Sequence, residues 1–297
     1  MKNFSELGLS EAVAIAIAEL GFEKPTPIQS QVIPAMLESA KDLIALAQTG
    51  TGKTAAFGIP LVELIDTSAK KPQALVLAPT RELCVQIEND LKAFSAKTKH
   101  FYTVAVYGGA NIRTQIDQLR KGVQVVVATP GRLIDLLGRR AVDLSQIKYL
   151  VLDEADEMLN MGFQEDIDEI LSTTPKEKVT WLFSATMPTE IKSISKKYMK
   201  SPMEISAGNV NQTNANIEHQ YYLVQPKNKY AALKRILDYN PDIYGIIFCR
   251  TKAETQEIAE KLIKDGYNAD SLHGDLSQMQ RDKVMLAFRE RTLQMLI

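Results

Sequence analysis

The sequence predicts an α/β protein built on a parallel sheet with helices on both faces, followed by a second and smaller unit. Short runs of apolar, mostly β-branched residues alternate with amphipathic stretches from residue 42 onward, a pattern typical of a parallel sheet covered by helices. Most of these runs end in a polar or glycine-containing turn. Such turns gather at the carboxyl edge of a parallel sheet, where ligands bind.

The runs fix the order of the predicted elements. Strands of the first unit are predicted at residues 43–47, 74–78, 103–107, 123–128, 149–152, 179–183 and 203–206. The segment 208–216 is polar, rich in Asn and without apolar periodicity, which predicts a linker. We therefore predict domains at residues 1–207 and 217–297.

The second unit repeats the alternation over a shorter length. Strands are predicted at 218–224, 245–249 and 268–272, helices at 229–239, 252–264 and 278–289, and an apolar segment at 294–297. Because the sequence stops within this last strand-like segment, we expect an incomplete lobe of a longer chain.

Composition restricts the class of protein. The chain has 297 residues, of which 45% are hydrophobic and 24% charged, as expected for a soluble protein with about two cores. No apolar run approaches the roughly 20 residues of a membrane helix, and the start lacks a signal peptide, so we expect a cytoplasmic location. Cys84 and Cys249 lack the spacing of a zinc site or a disulfide framework, which indicates packing roles.

The net charge of −1, from 35 basic and 36 acidic residues, gives no global positive field. A polyanionic partner would therefore have to bind at a local site made of backbone amides and a few arginines.

A phosphate loop follows the first predicted strand. Residues 50–54 read Gly-Thr-Gly-Lys-Thr, although Ala47 replaces the first glycine of the general pattern. Backbone N–H groups and Lys53 suit the β- and γ-phosphates, and the Thr54 hydroxyl suits Mg²⁺. If the glycines were only turn formers, Lys53 and Thr54 would have no explanation.

An acidic pair follows the buried strand 149–152. Asp153 can hold a metal through water, and Glu154 can orient an attacking water. Together with the phosphate loop, this pair indicates a site for nucleotide hydrolysis.

Upstream, a proline-containing turn at residues 21–28 leads into a helix at whose start Gln29 projects an amide. A Gln amide can pair with N6 and N7 of adenine at once, so Gln29 can select adenine over guanine nucleotides. The alternative is a solvated side chain at a helix start.

Three turns, after the strands at 74–78, 103–107 and 123–128, share one chemistry. They carry Thr80, Arg81, Gly108, Gly109, Thr129, Gly131 and Arg132. Hydroxyls, glycine amides and arginines grip phosphates without reading bases, and their recurrence on successive strand ends favours a nucleic-acid backbone. The alternative is local: Thr80 and Thr129 cap helices, and Arg81 and Arg132 pair with acids.

Ser184 and Thr186 follow the strand 179–183 and can hydrogen-bond back to Glu154 or Asp156, which would couple the hydrolytic site to a second element. The alternative is that they cap the next helix.

In the second unit, Arg250 and the pair His273-Gly274 follow strand-like runs in the same way. A metal role for His273 is disfavoured, because no partner His or Cys has suitable spacing.

In this order, the motifs resemble one family, the DEAD-box ATP-dependent RNA helicases of the bacterial type, within helicase superfamily two. The resemblance rests on Phe4 and on residues 21–29, 47–54, 79–83, 108–109, 129–132, 153–156, 184–186, 246–251 and 278–281. Alanine is common at the first position of the family's phosphate loop, so Ala47 fits. The resemblance implies two RecA-like lobes, the second incomplete.

The resemblance also implies roles for the matching positions, with ATP and Mg²⁺ as cofactors. Implied nucleotide-binding residues are Phe4, Phe22, Lys24, Gln29, Thr49, Gly50, Thr51, Gly52, Lys53 and Thr54, with Thr54 and Asp153 at the metal. The implied catalytic residues are Lys53, Asp153 and Glu154. Ser184 and Thr186 are also implied in catalysis, where they would couple the state of the bound ATP to RNA binding. RNA backbone is implied at Thr80, Arg81, Gly109, Thr129, Gly131, Arg132, Arg250, His273 and Gly274, without sequence preference.

In the family, two further motifs follow the strand that here ends at residue 297, and one carries arginines that reach the γ-phosphate. Such an arginine contributes about 10³–10⁵ in rate, so we expect this chain to bind nucleotide and to hydrolyse it poorly. The leading hypothesis is an enzyme that locally unwinds RNA duplexes or remodels ribonucleoproteins. A nucleotide-gated RNA clamp or scaffold uses the same residues and stays open, and a DNA helicase is a weaker alternative.

Overall fold

A computed structural model describes residues 3–207 and 217–297 of the chain. Its contacts divide the chain into two compact units, one up to residue 213 and one from residue 214. The predicted linker at 208–216 lies outside the described residues. Within the described ranges, no helix is both long and apolar enough to cross a bilayer.

Within residues 3–207, seven strands form one parallel sheet. They are β1 (Leu43–Leu46), β2 (Ala74–Leu77), β3 (Thr103–Val106), β4 (Val125–Ala128), β5 (Tyr149–Leu152), β6 (Val179–Ser184) and β7 (Met203–Ser206). Their order across the sheet is β3-β4-β2-β5-β6-β1-β7. The fold class predicted from the sequence is confirmed, and every predicted strand of this unit is present.

Helices cover both faces of this sheet. They are α1 (Glu11–Glu19), α2 (Pro27–Glu38), α3 (Lys53–Leu64), α4 (Arg81–Phe94), α5 (Ile112–Arg120), α6 (Pro130–Gly138), α7 (Ala155–Asn160), α8 (Gln164–Ser172) and α9 (Thr189–Tyr198). Successive strand residues point to opposite faces. In β1, Leu43 and Ala45 therefore join the core formed with α1–α4, whereas Ile44 joins the core formed with α5–α9.

A buried carboxylate joins three strands at the amino edge of the sheet. Asp42 is 6% exposed and precedes β1. It accepts hydrogen bonds from the N–H of Thr180 in β6, at 2.6 Å, and from the N–H of Lys200 ahead of β7. These backbone donors offset the cost of burying the charge.

Within residues 217–297, three short parallel strands lie in the order β8-β10-β9. They are β8 (Gly245–Ile246), β9 (Ala269–Asp270) and β10 (Met295–Leu296), with helices α10 (Lys229–Tyr239), α11 (Lys252–Lys264) and α12 (Gln278–Arg289). The helices have the predicted bounds, and the strands are shorter than predicted.

The strand predicted at 218–224 is wrong. That segment forms no strand, and Tyr221 and Leu223 are 87% and 93% exposed. Its run of aromatic and branched residues at 221–224 suits a strand, but no described strand pairs with it to satisfy its backbone groups.

Candidate nucleotide site and nucleic-acid interface

The strand order sorts the predicted site residues of the first unit into two neighbouring groups along the carboxyl edge. The turns after β3, β4 and β2 carry Gly109, then Thr129, Gly131 and Arg132, then Thr80 and Arg81. The turns after β5, β6 and β1 carry Asp153 and Glu154, then Thr186, then the phosphate loop at residues 47–54, with Ser184 closing β6. The residues predicted to contact a nucleic-acid backbone therefore lie beside those predicted to bind a nucleotide.

The phosphate loop turns through two glycines with positive φ and then enters α3. Gly50 and Gly52 have φ of +78° and +89°, a region that glycine enters without a steric penalty. Gly52 precedes α3 and offers no side-chain cap, so the first N–H groups of the helix remain for an anion. Thr51 steadies the loop by donating its hydroxyl to the Gln48 carbonyl at 2.7 Å. Lys53 begins α3 and is 7% exposed.

Gln29 joins the upstream turn to this loop. It is 3% exposed, which contradicts the solvated alternative. Its Oε1 accepts from the N–H of Thr26 at 2.9 Å, and its Nε2 donates to the Gly52 carbonyl at 3.1 Å. A Cβ added at Gly52 would collide with that Nε2. Adenine recognition by Gln29 stays a prediction.

The two phenylalanines that the resemblance implies at the nucleotide site contact each other. The Phe22 ring meets Phe4 and Phe94 edge to face, with centroids 5.8 Å and 5.9 Å apart. Phe4 is buried, Phe22 is half-buried and Lys24 is exposed. Phe4 therefore packs against Phe22 from the core side, and the role of either ring in nucleotide binding stays a prediction.

Asp153 lies directly after β5 in a buried environment. It is 2% exposed, and its Oδ1 accepts from the N–H of Glu154 at 3.1 Å. Burial raises the pKa of Asp153 to about 7, although the charge of Lys53 acts to lower it. A cation beside the carboxylate would favour its charged form.

Glu154 has a left-handed backbone, with φ of 49° and ψ of 49°, immediately before α7. For a residue other than glycine this conformation costs about 1–2 kcal/mol. Such strain is concentrated at functional sites, which is in line with the water-orienting role predicted for Glu154.

The predicted hydrogen bond from the segment after β6 is present, and Thr186 makes it. Its N–H and its hydroxyl both donate to Oδ2 of Asp156, at 2.9 Å and 2.8 Å. Burial would raise the pKa of Asp156, but the donors of Thr186 hold it below its usual range. The Ser184 hydroxyl also favours the charged carboxylate, yet it is buried without reaching hydrogen-bond geometry to any described group.

In the other half of the edge, Thr80 caps α4 by accepting from the N–H of Leu83 at 3.2 Å. The local alternative therefore holds for this hydroxyl. Arg81 extends over the turn after β3, where a Cβ added at Gly109 would collide with its guanidinium. Gly109 has φ of +86°, so the close approach and the backbone both require glycine.

Arg132, which lies in α6, forms hydrogen bonds that hold the turn after β3. Its Nη1 donates to Oε1 of Gln115 at 2.7 Å, and both Nη atoms donate to the Ala110 carbonyl at 3.3 Å. Gln115 is 3% exposed and donates to the Tyr107 carbonyl at 3.2 Å. The alternative in which Arg132 pairs with an acid is wrong, since these partners are an amide and a carbonyl. Sequence reasoning missed Gln115, because nothing in its helix distinguishes a buried amide.

No contact within the protein explains why a threonine and a glycine stand at positions 129 and 131, at the start of α6. Thr129 is 9% exposed and makes no capping bond with its side chain, so the capping alternative fails here. A Cβ added at Gly131 would have as its nearest neighbour Oδ2 of Asp166, at 3.9 Å. The protein itself therefore does not require a glycine at this position.

In the second unit, Arg250 follows β8 and His273 follows β9. Nε2 of His273 lies 3.0 Å from Oε1 of Gln256, and Arg281 donates to the Gly274 carbonyl at 2.9 Å. Gln256 and Arg281 thus position the turn that carries the predicted residues. The predicted role of this turn in RNA contact stays a prediction.

A phosphate loop after β1, with paired carboxylates after β5 of the same parallel sheet, defines an α/β protein of the P-loop class. The family model described as DEAD/DEAH box helicase matches residues 26–194, and that described as Helicase conserved C-terminal domain matches residues 228–297. The chain belongs to the DEAD/DEAH box helicase family.

Individual relatives agree with this assignment. A DEAD-box ATP-dependent RNA helicase CshA of Geobacillus kaustophilus is 46% identical over 100% of this chain and 63% of the relative. A probable ATP-dependent RNA helicase of Methanocaldococcus jannaschii is 44% identical over 99% of this chain and 78% of the relative. A structure of S. cerevisiae Dbp5 bound to RNA and ADP BeF3 matches with a TM-score of 0.90 and 30% identity, over 100% of this chain and 75% of the other. The chain spans 57% to 63% of the length of three CshA relatives.

Proposed function

We propose that this chain is the nucleotide- and RNA-binding part of an ATP-dependent RNA helicase, which locally unwinds short RNA duplexes or remodels ribonucleoproteins. The observation that carries the proposal is the arrangement of the carboxyl edge. The phosphate loop, Thr186 and the acidic pair lie on adjacent strands, and the phosphate-gripping turns continue along the same edge. The CshA relatives are named as ATP-dependent RNA helicases, and the Dbp5 structure contains RNA and ADP BeF3.

In this proposal the α3 N-terminus and Lys53 hold the phosphates, and Gln29 reads adenine while bracing Gly52. Glu154 orients the attacking water, and its strained backbone keeps the carboxylate at the start of α7. Thr186 and Asp156 join this site to the strand beside it. Hydrolysis of ATP to ADP and phosphate would then alter the grip on RNA through the shared sheet edge.

The residues present fit Mg²⁺. Within the described residues, no cluster of three or more His, Cys, Asp and Glu side chains suits a metal. Mg²⁺ needs no such cluster, because it binds through one or two carboxylates together with substrate phosphates and water. The Thr54 hydroxyl and the buried Asp153 carboxylate are oxygen donors of this kind, and the metal would supply charge stabilisation at the phosphates.

On the RNA side, Arg81, Thr129 and Gly131 offer a guanidinium, a hydroxyl and an uncapped helix start. These groups suit phosphate and sugar and carry no base readout. We propose that binding is therefore independent of sequence, and that Arg132 acts by holding the turn that carries Gly109.

The experiment for the nucleotide site is a titration of a fluorescent ATP analogue with Mg²⁺, with ATP and GTP as competitors. We expect Lys53→Ala to abolish binding and Gln29→Ala to lose the preference for ATP. Lys99→Ala removes an exposed lysine away from the site and is the matched control. Undiminished binding in Lys53→Ala would overturn the assignment.

The RNA half of the proposal is tested by fluorescence anisotropy of a labelled single strand, with ADP and beryllium fluoride present. Arg81→Ala should weaken RNA binding and leave the nucleotide titration unchanged. Because we expect this chain to hydrolyse ATP poorly, steady-state hydrolysis with and without RNA is measured on a chain extended to the length of the CshA relatives. Failure of RNA to raise turnover would favour a nucleotide-gated clamp, and an equal effect of DNA would contradict RNA specificity.

A further inference from the structure

A cavity of about 690 Å³ opens at the amino edge of the first sheet, opposite the edge that carries the candidate site. It lies where β3 and β4 begin, between the segment after α3 and the helices α4 and α5. All of its lining residues fall within the first unit. Its volume lies in the range of small-molecule sites, about 300–1,000 Å³.

Two buried glutamines hold one wall of this cavity in place. Gln124 is 1% exposed; its Oε1 accepts from the N–H of Tyr102 at 2.7 Å and its Nε2 donates to the Ala69 carbonyl at 2.8 Å. Gln73 exchanges two hydrogen bonds with the backbone of Asp66, at 2.7 Å and 3.1 Å. The segment after α3 is therefore fixed against the strands, and the cavity is preformed.

The segment after α3 also packs closely against a glycine of the turn ahead of β4. Gly122 has φ of +87°, and a Cβ added there would lie 2.9 Å from the Lys70 Cβ. The backbone of Lys70 is thus seated against the turn ahead of β4, which fixes where the lysine side chain begins.

The charge of the lining is positive. It contains three lysines, Lys70, Lys92 and Lys121, against a single acid, Glu88. Glu88 pairs with Lys92 at 2.8 Å. Across the part of the chain that the structure describes, no carboxylate lies within ion-pair distance of Lys70 or Lys121.

The lining combines an apolar wall with an accessible aromatic residue. Val104 and Val123 line the cavity and are buried, whereas Tyr102 is 53% exposed. The cavity therefore places apolar and aromatic surface beside the lysine charges.

We propose that this cavity binds a nucleoside monophosphate, either as a free nucleotide or as the end of an RNA chain. Tyr102 offers a face on which a base can stack, a contact that every base can make. Lys70 and Lys121 supply the charges for the phosphate, because lysine binds phosphate as a point charge. This site is separate from the proposed ATP site and does not depend on it.

The test is calorimetric titration with uridine 5′-monophosphate, chosen because the ATP site is proposed to select adenine. We expect binding that falls at least tenfold in the double variant Lys70→Glu, Lys121→Glu and in Tyr102→Ala. The control double variant Lys176→Glu, Lys192→Glu makes the same charge change at two exposed lysines outside the cavity and should bind as the parent does. Lys53→Ala should also retain uridine monophosphate binding.

A second measurement separates ligand binding from folding. Lys70, Tyr102 and Lys121 are exposed, so thermal unfolding of the double variant and of Tyr102→Ala should match that of the parent while the affinity for uridine monophosphate falls. Uridine and inorganic phosphate, titrated alone, should each bind more weakly than the monophosphate.

The source of the ligand is distinguished by competition with oligouridines. Displacement of uridine monophosphate by an oligomer with a terminal phosphate, but not by its hydroxyl counterpart, assigns the site to an RNA end; no displacement by either assigns it to a free nucleotide. The proposal is overturned if uridine monophosphate does not bind, if the double variant binds it equally, or if Lys53→Ala abolishes binding.

Discussion

Thr186 donates two hydrogen bonds to one carboxylate oxygen of Asp156, from its backbone N–H and from its hydroxyl. The pair connects the segment after β6 with α7, the helix that follows the acidic pair. Because the two residues lie 30 positions apart in sequence, their contact exists only in the folded sheet.

Replacing Thr186 by Val removes one of these hydrogen bonds and should destabilise the protein by about 1 kcal/mol near pH 7. The pKa of Asp156 is lowered in the folded state despite burial. Its charged form therefore contributes stability above the unfolded pKa of about 3.9, and that contribution is lost as pH falls through the folded pKa.

Chemical denaturation of wild type and Thr186→Val between about pH 7 and about pH 3 measures this effect. The difference in unfolding free energy should shrink as the pH falls below about 4. A difference that stays constant over the whole range would show that Thr186 does not act through the Asp156 carboxylate.

Gly52→Ala should abolish binding of the ATP analogue and destabilise the fold. The residue has φ of +89°, and its new Cβ would collide with the Gln29 amide. Gly50→Ala is the matched control, since its φ is +78° but no atom lies within 4 Å of the added Cβ. In thermal unfolding it should show only the backbone cost, about 1–2 kcal/mol, and an equal loss of stability in the two variants would contradict the proposed brace.

Glu154→Gln should retain ATP binding and lose hydrolysis, because the amide cannot accept a proton from water. Glu154→Gly should lose hydrolysis as well, yet gain stability of about 1 kcal/mol, since glycine accepts the left-handed backbone. Thermal unfolding and single-turnover hydrolysis measure the two effects. Full activity in Glu154→Gln would remove this carboxylate from the mechanism.

Gly109→Ala and Gly131→Ala should both weaken RNA binding, but they should differ in their effect on stability. At Gly109 the added Cβ meets the Arg81 guanidinium and the backbone is left-handed, whereas at Gly131 the nearest atom is 3.9 Å away. We therefore expect a lower melting temperature only for Gly109→Ala, and weaker RNA binding for both. Unchanged RNA binding in Gly131→Ala would place the RNA elsewhere.

The two cysteines should react at different rates with iodoacetamide. Burial raises the pKa of the Cys84 thiol, which is 0% exposed, and Cys249 is half-buried. Cys249 should be labelled in the native protein and Cys84 only after unfolding, as mass spectrometry would show. Native labelling of Cys84 would indicate that the first core opens readily.

The sequence predicts elements well where a local signal exists. The helix α12 begins at a capping box in which Ser277 and Gln280 each accept from the other's backbone N–H, and its predicted bounds match. The strand predicted at 218–224 has only a short run of aromatic and branched residues as its signal, and a strand also needs a neighbour to bond its backbone. That neighbour is a property of the tertiary structure.

In the candidate site, too, some features have a local sequence signal and others depend on tertiary contacts. The phosphate loop and the acidic pair can be identified in the sequence from their residue types and spacing. The bond from Gln29 to Gly52 spans 23 positions, and that from Arg132 to Gln115 spans 17. Neither partner can be identified from a local pattern, because packing of the helices on the sheet brings them together.

The strand order β3-β4-β2-β5-β6-β1 determines how substitutions should partition. Variants in the turns after β3, β4 and β2 should impair RNA binding. Variants in the turns after β5, β6 and β1 should impair nucleotide binding, whatever their distance in sequence. Single-function defects should then cluster by strand position, and variants that impair both ligands should concentrate at the β2–β5 border, where the two groups of turns adjoin.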